Sequence, residues 1–375
     1  MKFIKTLNLM FTLFKNFYIR ILLLLLFILC LFIIYKQFTY QIIYIPTIHN
    51  EPYNVIIPQT CYNICRLIEK LPKNKYNYLK LIKTSHQLWP NFNANLMLLH
   101  NISYLHLPGG SWIYHPNINQ YYKKINKNDF CNNIIQKGVV IIIPIKNQLQ
   151  QLYITLSTLI PILQIQHICY RIFVIEQIDN ELINKGKLKN IGFIEALKLF
   201  KFDCVIFHDV DLAPINYYNS YQCDQLTKDM MIHLSVAINT NKFKLPYETY
   251  IGGVIKISTH HFITVNGYSN DYWGLDNEND DNFEKRLKFT GIKYIHVNDK
   301  IGQYIYIPYT SSYSLQSNHL KKLLENSDEQ INFHGLDAVS YKVISRSNQP
   351  FFTHLRVLIK QSSNYFPDRK RKYLK

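Results

Sequence analysis

Three short apolar runs, separated by two segments of helical spacing, constrain the fold of this chain most strongly. The runs are Val139–Pro144, Arg171–Glu176 and Cys204–His208, and the segments between them are residues 148–163 and 187–200. Val139–Pro144 is compact and β-branched, which is typical of a strand buried on both faces. Strand, helix, strand, helix, strand in this order predicts a parallel sheet with right-handed crossovers. The sequence therefore predicts an α/β fold.

The third apolar run opens onto two carboxylates, Asp209 and Asp211, one residue apart. On a continuing strand the two side chains point the same way, which is costly unless a cation or hydrogen-bond donors neutralise them. Hard oxygen ligands suit Mn²⁺ or Mg²⁺, and these ions bind the diphosphate of a nucleotide. Because ligands of such sheets bind beyond the carboxyl ends of strands, we interpret this edge as a metal–nucleotide site. The alternative is that the two carboxylates simply face water at the end of the strand and bind no ligand.

A second informative block, residues 251–283, combines paired glycines, a tryptophan and a run of carboxylates. Gly252 and Gly253 allow close approach of the backbone to a ligand. Trp273 offers a flat apolar face of the kind on which sugars stack, and a carboxylate after it can supply a general base. A solvated acidic first turn of a helix is the alternative. That alternative accounts for the carboxylates but not for the adjoining glycines and tryptophan.

The N-terminal region predicts a membrane anchor. Residues 17–35 are almost wholly apolar and approach the ~20 residues that span a bilayer. Lys2, Lys5 and Lys15 precede this segment and Arg20 lies at its start, whereas only Lys36 follows closely. The positive-inside rule therefore assigns the chain after the segment to the lumen or the outside. The run is longer than a usual signal-peptide core, and no small-residue cleavage site follows it. These features favour a retained anchor over a cleaved signal peptide.

The formal net charge of +17 does not indicate nucleic-acid binding. The basic residues are scattered, apart from Arg369–Lys372 at the tail, and a luminal domain does not meet nucleic acid. The seven cysteines fit no zinc-binding spacing, and six of them lie in a compartment that permits disulfides.

Taken in order, these motifs resemble the β-1,4-galactosyltransferase family, inverting nucleotide-sugar transferases of the Golgi. The resembling segments are Ile141–Pro144, Asn184–Glu195, Phe207–Pro214, Leu245–Val254, Asn270–Phe283 and His334–Ile344. The resemblance implies a GT-A fold, a Rossmann-like mixed sheet flanked by helices, together with an N-terminal transmembrane helix. The implied parts are a cytoplasmic tail at 1–16, a signal anchor at 17–35, a luminal stem at 36–130, a catalytic domain at 131–360 and a basic tail at 361–375.

The resemblance also implies a donor-nucleotide site. Its expected residues are Lys146, Asn147, Lys185, Lys187, Asp209, Val210, Tyr247, Tyr250, Gly253, Trp273 and Gly274. Lys146 and Lys185 replace family arginines, which keeps the charge but loses the bidentate fork. Tyr250 matches a position where a large residue favours galactose over N-acetylgalactosamine.

The acidic loop allows two alignments with the family motif. With a one-residue insertion, Asp280 becomes the catalytic base, with Glu278 and Asp281 beside it, and Arg286 and Gly291 also fall into register. Without a gap, Asn279 takes the base position, and an amide cannot accept a proton at neutral pH. We expect the first alignment, with Asp280 as the base.

The metal site departs furthest from the family pattern. The expected Mn²⁺ ligands are Asp211, Tyr306 and Tyr309, and the two tyrosines stand where the family has methionine and histidine. A phenol, with a pKa of ~10, is a poor ligand at neutral pH unless the metal deprotonates it. His208 is a possible substitute, although strand alternation points it away from Asp209.

The resemblance implies a Golgi type II membrane enzyme that moves galactose from UDP-galactose to the 4-hydroxyl of a terminal N-acetylglucosamine or related sugar, with inversion. Its partners would be a UDP-sugar, a glycan on a glycoprotein or glycolipid, and the membrane through residues 17–35, with no nucleic acid. One alternative is a catalytically impaired pseudo-transferase that binds luminal glycans, and another is a metal-independent transferase. The resemblance further implies a Cys204–Cys223 disulfide, with Cys131 bonded to Cys61 or Cys65.

Overall fold

A computed structural model describes residues 59–61, 109–111, 137–274, 277–309, 334–349 and 351–360. The expected cytoplasmic tail, the anchor at 17–35 and the basic tail lie outside the described residues, as do Cys65 and Cys131 and the side chain of Glu278. In the part of the chain that is described, no helix has both the length and the apolar character needed to cross a bilayer.

The strands and helices follow the predicted alternation. The strands are β1 Gly138–Ile145, β2 Cys169–Gln177, β3 Cys204–His208, β4 Leu212–Pro214, β5 Met231–His233, β6 Ala237–Ile238, β7 Val254–Ser258, β8 Tyr294–His296, β9 Gln303–Tyr306, β10 Lys342–Asn348 and β11 Thr353–Leu358. The α-helices are α1 Leu149–Ile165, α2 Lys185–Leu199, α3 Gln225–Asp229, α4 Thr259–Thr264 and α5 Asn277–Phe289.

The main sheet is mixed, with strand order β10-β11-β2-β1-β3-β7-β5-β8. Its centre is parallel, because β1 pairs in parallel with both β2 and β3, and β11 extends it in parallel beside β2. Strand β7 then runs antiparallel to β3. A small second sheet, β4-β9-β6, lies beyond the end of β3. The parallel sheet with helical crossovers is therefore confirmed, and β7 adds an antiparallel neighbour to the strand that carries the acidic edge.

Strand β1 is buried on both faces, as its β-branched sequence predicts. Val140 and Ile142 pack with Leu188 of α2 in one apolar cluster. Val139 and Ile141 pack with α1 in the other cluster, on the opposite side of the sheet. Because successive strand residues point to opposite faces, the helices α1 and α2 cover the two sides of the sheet.

Two disulfides tie the described segments together. Cys204, at the start of β3, is bonded to Cys223, as the family resemblance implies. Cys61 is bonded to Cys169, at the start of β2. Since a sulfur forms one disulfide, the expectation that offered Cys61 as a partner for Cys131 is wrong.

Candidate active site

The two carboxylates of the acidic motif lie on a turn rather than on a strand. Strand β3 ends at His208, which pairs with Val254 of β7. The Asp209 amide donates to the Gly253 carbonyl at 3.1 Å, and the Leu212 amide donates back to the Asp209 carbonyl at 3.4 Å. The expectation that both carboxylates point the same way on one strand is therefore wrong, because the chain turns at the first of them.

Asp209 is buried and is neutralised by two lysines of α2. Its Oδ2 lies 3.0 Å from Nζ of Lys185, and its Oδ1 lies 3.7 Å from Nζ of Lys189. Burial by itself raises the pKa of Asp209, but the two lysines outweigh it and hold the pKa below its usual range. Helix α2 delivers both lysines because they are four residues apart and so share one face. The Asn184 side chain caps this helix by accepting from the Lys187 amide at 2.8 Å.

The first turn of α5 brings Asp280 to the same lysine. Its Oδ1 lies 3.4 Å from Nζ of Lys189, and the side chain is buried. Burial raises the pKa of Asp280 to about 6; Lys189 opposes this rise and the charge of Asp209 adds to it. Asn279 is buried against Gly186 of α2. Of the two candidate base positions, Asp280 is the one that lies beside the acidic edge of β3.

The Tyr247–Gly253 segment borders Asp280 and Asp281 of α5. The Tyr247 hydroxyl donates to Oδ1 of Asp281 at 2.7 Å. Burial raises the pKa of Tyr250, and the nearby charges of Asp280 and Asp209 add to the rise, which places this phenol at the acidic cluster. Gly253 has φ +88°, and a β-carbon there would lie 2.6 Å from Leu212 and Ser235 side-chain atoms.

Trp273 and Gly274 lie next to the start of α2. Nζ of Lys187 is 5.6 Å from the centre of the Trp273 ring and donates to the Lys360 carbonyl at 3.0 Å. The Gly274 amide donates to the Ile183 carbonyl at 2.7 Å, and its φ of +74° favours glycine. The predicted donor residues Lys185, Asp209 and Tyr250 therefore share one cluster with the predicted base Asp280. Lys187 and Trp273 form a contact of their own.

Three predicted nucleotide residues have different surroundings in the structure. Lys146 follows β1 and donates to the Asp179 carbonyl, with the Asp179 carboxylate 3.6 Å away. The Val210 side chain is buried in the core, and its carbonyl accepts from Thr155 at 2.6 Å. Asn147 is exposed, with φ +56°.

Of the three predicted metal ligands, Asp211 is buried and Tyr306 and Tyr309 are half-buried. Leu212 pairs with Tyr306, and the Asp211 carbonyl accepts from the Ile307 amide at 2.8 Å, so β9 lies against the acidic turn. His208 does not join this group. Its Nδ1 lies 2.8 Å from the Asp209 carbonyl and its Nε2 lies 3.4 Å from the Tyr221 hydroxyl. Burial lowers the pKa of His208 to about 4, so it is a neutral interior residue.

Two family models match most of the described residues. One, the N-terminal region of glycosyl transferase group 7, matches residues 120–224. The other, described as the N-terminal domain of galactosyltransferase, matches residues 232–309. Mouse β-1,4-galactosyltransferase 2 is 36% identical over 229 residues, which is 60% of this chain and 61% of the relative. Human β-1,4-galactosyltransferase 1 is 36% identical over 220 residues, 58% of this chain and 54% of the relative.

This chain belongs to the β-1,4-galactosyltransferase family. It spans less than two thirds of the length of the curated relatives it matches. The catalytic domain of Drosophila β-1,4-galactosyltransferase 7 matches with a TM-score of 0.52 at 24% identity, over 60% of this chain and 94% of that one. The fold is therefore the mixed α/β, GT-A-like fold of this galactosyltransferase.

Sequence reasoning missed Lys189. It lies at the variable position of the family's N-R-A-K-L-x-N segment, so the resemblance assigned it no role. A signal was present, because Lys189 is four residues after Lys185 and so lies on the same face of the helix. In the β-1,4-galactosyltransferase fold of this chain, that face of α2 lies against Asp209, at the end of β3.

Proposed function

We propose that this chain is an inverting galactosyltransferase that moves galactose from UDP-galactose to the 4-hydroxyl of a terminal N-acetylglucosamine or a related sugar. The observation that carries the proposal is the meeting of Asp209 and Asp280 at Lys189, at the carboxyl end of β3. This is the edge of an α/β sheet at which nucleotide ligands bind.

Asp280 is suited to act as the general base. It would take the proton from the acceptor hydroxyl as the oxygen attacks the anomeric carbon in a single in-line displacement. A base works best when its pKa lies near the operating pH, and the pKa of Asp280 is raised to about 6, chiefly by burial. At neutral pH the carboxylate is therefore mostly ionised and still basic enough to accept a proton.

The donor side of the site would be formed by the residues around Asp209. Lys185, whose Nζ lies 3.0 Å from Asp209, brings positive charge to the edge where a diphosphate would bind. Asp209 Oδ1 is buried and accepts no hydrogen bond among the described residues, so a nucleotide hydroxyl could donate to it. Tyr250 supports a galactose donor through its large side chain, which lies against Gly252, where a β-carbon would be 2.5 Å from the phenol oxygen.

Mn²⁺ is proposed as the cofactor, bound through Asp211. The described residues contain no group of three His, Cys, Asp or Glu side chains that could hold a metal by themselves. Asp211 nevertheless fits a divalent ion of the kind that one or two carboxylates hold together with substrate phosphates. Tyr306 and Tyr309 are weaker, neutral oxygen donors. When bound, the ion would neutralise charge on the departing UDP.

This arrangement predicts that Mn²⁺ binds weakly to the protein alone and tightly in the presence of UDP. Calorimetric titration of Mn²⁺ into the full chain, with and without UDP, measures this without any turnover. Asp211→Asn should abolish the UDP-dependent binding. Activity that survives exhaustive chelation would instead support the metal-independent alternative.

The acceptor is proposed from the family. A solved structure of the catalytic domain of Drosophila β-1,4-galactosyltransferase 7 holds xylobiose, and a mutant of that protein was solved with manganese, UDP-Gal and xylobiose. For this chain we propose N-acetylglucosamine first and glucose or xylose second, carried on a glycoprotein or glycolipid. A panel of these three acceptor sugars tests the order.

The proposed location is the Golgi membrane, with a single anchor at residues 17–35 and the catalytic domain in the lumen. The apolar anchor and the flanking basic residues support this topology. The Cys61–Cys169 and Cys204–Cys223 disulfides also support an oxidising compartment. Co-localisation of the full chain with a Golgi marker, and protease protection of the catalytic domain in sealed vesicles, test the proposal.

A pseudo-transferase that binds a UDP-sugar or a glycan without turnover is the second candidate. The tyrosines at the metal position favour it, since neither offers an imidazole to the ion. The deciding experiment measures release and transfer of labelled galactose from UDP-galactose by the full chain with Mn²⁺. Asp280→Asn should lower kcat by about 10²-fold or more, whereas the exposed control Asp299→Asn should not. A wild type that neither hydrolyses nor transfers the sugar across the acceptor panel supports the pseudo-transferase.

A further inference from the structure

Lys189 is a fully buried lysine whose charge lies between the two carboxylates of the site. Its side chain is 2% exposed, with Nζ 3.4 Å from Asp280 and 3.7 Å from Asp209. The ammonium also lies 4.6 Å from the centre of the Tyr268 ring, within cation–π distance. A buried ammonium is costly unless it is paired, so this residue depends on the carboxylates as much as they depend on it.

Two adjacent contacts join α2 to the first turn of α5. Gly186 lies against Asn279, and Lys189, three residues further along the same face of α2, pairs with Asp280. The first contact is steric and the second is ionic. Together they fix how far the first turn of α5 lies from α2 and how this turn is rotated toward Asp209, at the end of β3.

We propose that Lys189 is a positioning residue that holds Asp280 against the strand edge and keeps it ionised for proton transfer. This inference rests on the proposed function, in which Asp280 is the general base. Lys189 is not itself proposed to touch the substrate. Its role in this site is to bring the base and the nucleotide carboxylate to one point in spite of their mutual repulsion.

The charges around Asp280 explain why removing Lys189 would matter. Lys189 and Lys185 face it from α2, Asp209 faces it from the end of β3, and Tyr250 and Tyr268 are the neighbouring phenols. Without Lys189, Asp209 keeps Lys185 at 3.0 Å, while Asp280 loses its nearest cation and still faces Asp209. The pKa of Asp280 should therefore rise, and the acid limb of the rate profile should move to higher pH.

Lys256 provides the matched control for losing a buried lysine. It is also almost fully buried, with Nζ 3.6 Å from Asp224, and it donates to the carbonyls of Ser220 and Gln222 at 3.1 and 2.7 Å. None of these partners belongs to the proposed site. Both Lys189→Met and Lys256→Met should lower the melting temperature, so a change in stability alone does not separate the two roles.

The test compares Lys189→Met, Lys256→Met and wild type as full-length chains. In Lys189→Met we expect kcat to fall by about tenfold or more, and the acid limb of kcat/KM to rise by about one pH unit. The affinity for UDP, measured by calorimetry, should stay within about threefold of wild type, because Lys185 still neutralises Asp209. Lys256→Met should leave both kcat and the acid limb unchanged. A folded Lys189→Met with the wild-type kcat or acid limb overturns the inference.

A second variant keeps the inference testable if Lys189→Met does not fold. Asp280→Ala removes the same ion pair from the other side, and it should speed exchange of the first hydrogen-bonded amides of α5, at residues 281–284, by about tenfold. Unchanged exchange at these amides would show that the Lys189–Asp280 ion pair does not hold the start of α5 in place. The amide-exchange and UDP-binding measurements need no turnover, so they test the Lys189–Asp280 contact even in an inactive protein. A wild type that transfers no sugar contradicts the proposed function but not this contact.

Discussion

Gly186 and Asn279 are packed so closely that a β-carbon at position 186 would collide with the asparagine side chain. A β-carbon on residue 186 would lie 2.4 Å from Nδ2 and 2.6 Å from Oδ1 of Asn279. Asn279 is buried, and neither side-chain polar atom forms a hydrogen bond within the described part of the chain. Contact with Gly186 at Asn279 therefore limits how closely α5 approaches α2, and the next residue, Asp280, faces Lys189.

Gly186→Ala should destabilise the protein by about 1–3 kcal/mol, as overpacking usually does. A loss of stability is informative, because replacing glycine with alanine inside a helix normally increases the free energy of unfolding. Denaturant unfolding of the full chain measures the change. The double variant with Asn279→Ala should recover most of the loss, since the colliding amide is then gone. A Gly186→Ala chain as stable as wild type would contradict the contact.

The rate of sugar transfer should depend on the ionisation of Asp280. Burial raises its pKa to about 6, so kcat/KM should fall below that pH, by up to about tenfold per unit. The effect on stability has the opposite sign. The folded state binds this proton more tightly than the unfolded state, so its contribution is present below the ordinary Asp pKa and is lost as the pH rises through about 6. An acid limb near pH 4 would show that another group is the base.

Tyr247 and Asp281 should act as one unit, because the phenol donates to the carboxylate at 2.7 Å. Tyr247→Phe and Asp281→Asn should each lower kcat/KM by about two- to tenfold, and the double variant should lose little more than either single one. Both side chains lie near the surface, so the melting temperature should hardly change. Fully additive losses would mean that the hydrogen bond does not matter to the reaction.

The regular elements were predictable because their signals are local. The β-branched run of β1 and the spacing of α1 and α2 specify buried strands and helices with little help from distant residues. Strand β3 was placed correctly at Cys204–His208 for the same reason. The turn after it was not, because the Asp209 amide donates to the carbonyl of Gly253, which immediately precedes β7 and is distant in the sequence.

The site was predictable only where a residue's partner is fixed by the family motif. Asp209 and Asp280 were named from the motifs, and they do meet. Lys189 was missed because a charged residue at a variable helix position is usually on a solvated face. Lys146 was expected at the phosphates but pairs with Asp179 beyond β2, a contact that only the strand order brings together. These partners are set by tertiary packing, which motif spacing does not encode.

A non-reducing peptide map should recover a Cys61–Cys169 peptide pair and a Cys204–Cys223 pair. The first bridge closes a sequence separation of 108 residues, so replacing both cysteines with serine should cost about 2–5 kcal/mol of stability. Reduction of the wild-type chain breaks both bridges and should therefore cost more than this replacement. A Cys61–Cys131 peptide would instead favour the pairing first expected from the family.

Acid should destabilise the fold partly through His233. This side chain is fully buried in β5, with Nδ1 2.9 Å from His296 and Nε2 2.8 Å from the Gly252 carbonyl. Burial, assisted by His296, lowers the pKa of His233 to about 3, although the bond to the Gly252 carbonyl opposes the shift. Between this value and the ordinary histidine pKa of about 6.5, the unfolded chain binds a proton that the folded chain does not. Stability is therefore lost as the pH falls through this window, by up to about 1.4 kcal/mol per unit.

His233→Gln should flatten this pH dependence, even if it lowers stability at neutral pH by losing the interior hydrogen bonds. The measurement is the slope of unfolding free energy against pH between about 4 and 6.5. His260→Gln is the matched control for the substitution itself, because His260 is exposed on α4. Since Gly252 lies in the Tyr247–Gly253 segment, charging His233 would also disturb the backbone beside Tyr250. Equal slopes for His233→Gln and wild type would show that His233 does not stay neutral in the folded protein.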